Sequence, residues 1–158
     1  SRFTPLQLAN YVATLANGGT HYAAHLLKEV KSSDYSEVTY QYEPQVLNEL
    51  DLDPENLSAV TEGMLLMTTE GSARSYFANL DIPVAAKSGS AQVSSETESN
   101  SLFVCFAPYD DPEIALAIVV ERGGSGSLLS SIAVEILEYY FSSGGGMETV
   151  TQENTLLR

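Results

Sequence analysis

Lys87, Ser88 and Gly89 stand in a row inside the extended run Val84 to Val93, a cation, a hydroxyl and a residue without a side chain. That trio suits a strand that holds a carboxylate-bearing peptide alongside itself. The ammonium supplies charge, the hydroxyl donates to a carboxylate, and glycine lets a second backbone come close. Pro83-Val84-Ala85-Ala86 leads in and Ser90-Ala91-Gln92-Val93 follows, so the trio sits within a strand of residues 83 to 93.

Other chemistry-bearing residues are less persuasive. His21, His25 and Glu29 have the i, i+4, i+8 spacing of a metal-binding helix face. They follow Gly18-Gly19, however, and on a strand each would lie about 13 Å from the next. No metal and no cofactor is therefore expected. Arg74 suits a surface or structural role, and Met64 and Met67, three apart, suit core packing. Tyr139-Tyr140-Phe141 has no basic neighbours and reads as packing, not as a stacking platform. Cys105, the lone cysteine, lies in the apolar run Leu102 to Ala107 and reads as a small buried hydrophobe.

Composition sets the limits. With 158 residues the chain is long enough to bury a core of its own. Seven basic against 21 acidic residues give a net charge of −14, which argues against nucleic acid and against an anionic membrane surface. No apolar run of membrane-spanning length and no secretory signal pattern occurs.

The elements that position the trio follow from caps and periodicity. Thr4-Pro5-Leu6-Gln7 opens a helix through a capping box with proline at the first position, and Gly18-Gly19 closes it. Its apolar residues at 6, 8, 9, 12, 13, 15 and 16 predict burial on most sides. Residues 20 to 31 and 37 to 44 read as two strands. Asp53-Pro54 caps a second helix, with Leu57, Val60, Met64, Leu65 and Met67 on its inner face and Gly71 as its stop. Ser94 to Ser101 reads as a polar loop. Leu102 to Ala107 and Ile114 to Val120 form a hairpin whose near-continuous apolar runs imply cover on both faces. Gly123 to Gly126 is a turn, and Leu128, Leu129, Ile132, Ala133, Ile136, Leu137 and Tyr140 mark a final amphipathic helix. Residues 144 to 158 read as a polar, disordered tail. The result is an α+β arrangement of helices packed on an antiparallel sheet.

In this context Lys87-Ser88-Gly89 resembles the third signature motif of the penicillin-binding and serine β-lactamase superfamily. Three further segments resemble class B penicillin-binding proteins, the monofunctional peptidoglycan transpeptidases, in the family's own order. They are Phe3 to Gly19, Glu70-Gly71-Ser72-Ala73-Arg74, and the hairpin of Leu102 to Pro108 with Pro112 to Glu121. The resemblance covers residue 3 to about 141, and it implies part of a transpeptidase fold.

The resemblance also implies roles. A serine attacks the D-Ala-D-Ala amide of a peptidoglycan stem peptide, D-Ala leaves, and an acceptor amine resolves the acyl-enzyme. Lys87 would add positive potential, and Ser88 would bind the donor's terminal carboxylate or the equivalent group of a β-lactam. Gly89 would leave room for the substrate strand, and the Ser90 backbone N–H would be an oxyanion donor. Ala86, Ser88, Ser90, Asn100 and Leu102 depart from the commonest family residues, but the two serines keep the hydroxyls.

The family's other two motifs do not occur in these residues. Three positions before Lys28, Lys31 and Lys87 stand His25, Lys28 and Val84, so there is no Ser-x-x-Lys, and no serine lies two before any asparagine. The expectation is the C-terminal portion of a transpeptidase domain over residues 1–143, inactive alone, partnered by the upstream half of that domain. It would be extracytoplasmic and membrane-anchored through a preceding segment, and the fragment would either self-associate through the outer face of its first helix or shift that helix to cover it. Two other readings stay open: a non-catalytic wall-binding or scaffold module of the same fold, and a β-lactam sensor or serine β-lactamase.

Overall fold

The computed structural model describes residues 3–92 and 97–143. It begins with α1 (Pro5–Ala16), where the capping box forms as expected: the Gln7 N–H donates to Thr4 Oγ1 (3.2 Å) and the Thr4 N–H to Gln7 Oε1 (2.8 Å). Gly18 and Gly19, both at positive φ, turn the chain out of the helix.

Where two strands were expected, four short ones follow: β1 (Thr20–Tyr22), β2 (Glu29–Lys31), β3 (Val38–Gln41) and β4 (Val46–Glu49). They nest as two separate pairs, β1 with β4 and β2 with β3, both antiparallel. Register shifts inside each pair keep the strands short. His25 therefore lies on no strand; it stacks on Tyr42 with ring centroids 3.5 Å apart. His21 is held between two asparagines instead. Asn10 Nδ2 lies 3.1 Å from His21 Nε2, and His21 Nδ1 lies 2.9 Å from Asn48 Oδ1. Because the Asn10 amide donates to the first nitrogen, the second carries the proton. Among the described residues no group of three or more His, Cys, Asp or Glu converges on a point.

Next comes α2 (Pro54–Thr69), capped by Asp53, whose carboxylate accepts from the Glu55 N–H at 2.9 Å. Met64 is buried and Leu57, Leu65 and Met67 are half-buried, but Val60 is exposed. No residue of α2 before Met64 is buried, so the first half of the helix overhangs the layer beneath and the expected stripe is only partly used. Thr68, an unexpected member of the inner face, is buried and donates to the Val84 carbonyl at 2.6 Å. After α3 (Arg74–Phe77) come β5 (Ala85–Ala91), β6 (Asn100–Ala107) and β7 (Ile114–Val120), an antiparallel sheet in the order β5-β6-β7. β6 starts two residues earlier than expected, drawing Asn100 and Ser101 out of the polar loop into the ladder opposite Ala91 and Ser90. Residues 93–96 of that loop, and the tail from 144, lie outside the described residues. A 3₁₀ turn (Gly126–Leu129) leads into α4 (Ser130–Ser142).

Both faces of the sheet are covered, as the continuous apolar strands require. On one face Ala86, Phe103, Cys105 and Ala107 pack against Ala73 and Phe77 and against Leu129, Ala133 and Leu137 of the last turn and helix. On the other, Ala85 and Phe106 meet Val12 of α1 and Met64 of α2. Burying a side chain such as Phe103 completely is worth about 1.5–3 kcal/mol. Burial also holds the Cys105 thiol neutral, its pKa pushed up to about 12. Two expected stripes are narrower than their sequences suggest. Ile132 and Ile136 of α4 are only partly covered, and α1 buries only Val12 and Thr14, leaving Leu6 and Tyr11 at 59% exposure.

Candidate functional site

All four residues singled out by type and spacing fall on β5, which is an end strand of its sheet. Side chains alternate between faces along a strand. Ala85 belongs to the α1–α2 side and Ala86 to the α4 side. Lys87 and Gly89 accordingly share the first side, Ser88 and Ser90 the second. The register agrees: Lys87 faces Val104 and Ser88 faces Phe103, which pack on those respective sides. The cation and the two hydroxyls thus flank one strand edge from above and below.

Burial falls off along β5 in a useful direction. Ala85 and Ala86 are completely buried and anchor the strand, with Thr68 tying down the preceding Val84 carbonyl. Ser88 and Gly89 are half-buried, and Lys87 and Ser90 are exposed. Lys87 Nζ folds along the edge and donates to the Ser88 carbonyl at 2.6 Å. Ser90 Oγ accepts from the Gly126 N–H at 3.3 Å, and its hydroxyl proton has no acceptor among the described residues.

Gly89 is instructive. A methyl group built there would meet only Leu102 Cβ at 3.6 Å and Leu102 Cδ1 at 4.0 Å, ordinary contacts, and its backbone is not in the left-handed region. Among the described residues nothing requires glycine at this position. The residue is explained if the space above it is used by something else.

The Glu70 to Arg74 segment supports the strand from behind rather than joining it. Glu70 caps α2, Ala73 is fully buried in the α4-side core, and Arg74 is exposed at the start of α3. Asn100 Oδ1 accepts from the Arg122 N–H at 3.0 Å, so it pins the exit of β7. Sequence reasoning missed two contributors to the strand's placement, Thr68 and Gly126. Thr68 is hidden in a helix stripe defined by hydrophobicity, whereas the Gly-Ser-Gly run at 124–126 did give a signal but was read only as a turn.

Against known proteins, the penicillin-binding protein transpeptidase domain matches residues 2–138. The chain belongs to that family, in its class B branch. Penicillin-binding protein 2A of Bacillus subtilis is 34% identical over 157 residues, which cover 88% of this chain and 22% of that protein. Peptidoglycan D,D-transpeptidase MrdA of Escherichia coli is 30% identical over 154 residues, covering 86% of this chain and 24% of that protein. Among solved structures, penicillin-binding protein A from M. tuberculosis in its imipenem acyl-enzyme complex superposes with a TM-score of 0.75 at 25% identity, over 88% of this chain and 31% of that one. The chain thus spans less than a quarter of the length of these curated relatives, and it corresponds to part of a transpeptidase domain.

Proposed function

We propose that this chain supplies the donor-binding strand of a serine D,D-transpeptidase, the enzyme that cross-links peptidoglycan stem peptides through an acyl-enzyme. The observation that carries the reading is β5 itself. An end strand anchored by buried alanines presents a cation, two hydroxyls and a glycine that the fold does not need along its open edge.

In this reading the donor peptide, or a β-lactam in its place, lies along that edge. Lys87 raises the local positive potential, and the Ser88 hydroxyl donates to the terminal carboxylate. Gly89 admits the donor backbone, and the Ser90 N–H stabilises the oxyanion when the nucleophile attacks, a contribution of about 3 kcal/mol. Nucleophile and proton-transfer groups come from Ser-x-x-Lys and Ser-x-Asn motifs, neither of which occurs in these 158 residues. They belong to the upstream half of the same domain. That half would cover the outward face of α1, where Leu8, Tyr11, His21 and Leu50 line a groove of about 440 Å³. Left bare, this face is the surface through which separate copies of the chain would associate. Among the described residues no helix is long and apolar enough to cross a membrane. The extracytoplasmic, membrane-anchored placement therefore rests on a segment preceding this chain.

The test is covalent labelling. Incubated with a fluorescent penicillin, the chain alone is expected to give no band that survives boiling on a denaturing gel, while the complete protein gives one. A boiling-resistant band from the chain alone would overturn this division of labour.

A further inference from the structure

The connection from β7 to α4 does more than reverse the chain. A Cβ placed on Gly126 would come within 2.5 Å of the Leu102 carbonyl oxygen and 2.9 Å of the Gly89 nitrogen, and nearer still to the Gly89 carbonyl oxygen. All three are backbone atoms of the β5–β6 ladder, so no change of rotamer makes room. Gly126 is buried, and its N–H reaches the Ser90 hydroxyl. Three residues earlier, a Cβ on Gly123 would stand 2.6 Å from Ser101 Oγ. Gly89 pairs with Leu102 and Ser90 with Ser101. The connection therefore presses on both rungs of the ladder that hold the candidate oxyanion donor and its neighbour.

We propose that Gly126 is a positioning residue for the candidate active site: its missing side chain and its N–H set where Gly89 and Ser90 stand at the open edge of β5. The inference rests on the transpeptidase reading and adds to it a part outside the family's motif strand. It contrasts two glycines in contact. Among the described residues a methyl on Gly89 would make only ordinary contacts with Leu102, whereas Gly126 is demanded by the fold where the connection after β7 lies against the site strand. Displacing Ser90 by a few tenths of an ångström would misaim its N–H, and transition-state stabilisation by such donors depends steeply on aim.

The experiment uses the complete transpeptidase that contains this chain, with a fluorescent penicillin as the probe. It compares Gly126→Ala with the insertion of one glycine after Gly124, which slackens the connection without adding bulk. Two quantities are read: the second-order rate constant of acylation and the fraction of protein labelled at completion. Gly126→Ala is expected to lower the rate constant by about tenfold or more with the labelled fraction near that of wild type. The insertion is expected to lower it by a few-fold. A merely structural role predicts the opposite split, a smaller labelled fraction reacting at the wild-type rate constant, and that result would overturn the proposal. If Gly126→Ala does not fold, the insertion variant decides by the same criterion. Lys87→Ala serves as the control. Wild-type acylation by that variant would remove the transpeptidase reading itself, whereas slowed Lys87→Ala beside wild-type rate constants in both connection variants would remove only the role given to Gly126.

Discussion

The sheet β5-β6-β7 and the strand pairs between residues 20 and 49 are both antiparallel, yet they are held by different physics. The sheet has helices on both faces and contains the completely buried Phe103, Cys105, Ala85 and Ala86. From residue 20 to residue 50 not one side chain is buried; Leu26 is 99% exposed, and Val38, Val46 and Leu47 are half or more exposed. Those strands are held by their own ladders, by the hydrogen bonds of the turn at Ser32 to Glu37, and by the link from Asn10 to His21 and Asn48. A site that must hold a substrate strand to within fractions of an ångström belongs on the first kind of platform. The second kind suits a surface that another part of the protein completes.

The largest effect expected from this contrast is on stability. Phe103→Ala should cost about 3–5 kcal/mol, because the site is fully packed and can collapse only partly. Val38→Ala in the β2–β3 pair, which trims a side chain already half in water, should stay within about 0.5 kcal/mol. Denaturant unfolding of the two variants measures both. Comparable losses would show that the strand pairs share the sheet's core, and the distinction would fail.

A smaller effect sharpens the account of the strand pairs. Asp34 lies at the tip of β2–β3, where the Ser32 hydroxyl donates to its carboxylate at 2.6 Å and the Ser36 hydroxyl at 2.8 Å, joined by the Ser36 N–H at 3.2 Å. These donors, the Ser32 hydroxyl foremost, lower its pKa from 3.8 to about 2. A depressed carboxylate pKa means that the folded turn prefers the charged form. Its contribution is complete above 3.8 and is lost as the pH falls through about 2. Followed by NMR, the Ser36 amide should titrate with a midpoint near 2. An ordinary carboxylate midpoint would mean that the turn's hydrogen bonds do not persist in solution.

Much of the platform was legible in the residues. Thr4-Pro5-Leu6-Gln7 wrote its capping box in four letters, and the apolar runs of β6 and β7 announced a sheet covered on both sides. What escaped notice depended on distant parts of the chain. Nothing local says that β1 pairs with β4 across 23 residues of intervening chain, or that α2 overhangs its sheet so that Val60 is left in water. Ser101 read as loop because it is a serine next to a polar run; its burial comes from Gly123, brought there by the turn after β7. The candidate site was legible because its chemistry is contiguous, three residues on one strand. Its support, from Thr68 and Gly126, was not, since neither lies within 15 residues of that trio.

The central claim is that the open edge of β5 serves a substrate and not the fold. Lys87→Ala, Ser88→Ala and Gly89→Ala in the complete transpeptidase test it most directly, through acylation rate by a penicillin read alongside melting temperature. The account predicts acylation slowed by about a hundredfold or more with melting temperature nearly unchanged, since Lys87 is exposed, Ser88 is half-buried and Gly89 has room for a methyl group. Wild-type acylation in all three variants, or losses of rate that merely follow losses of stability, would contradict it.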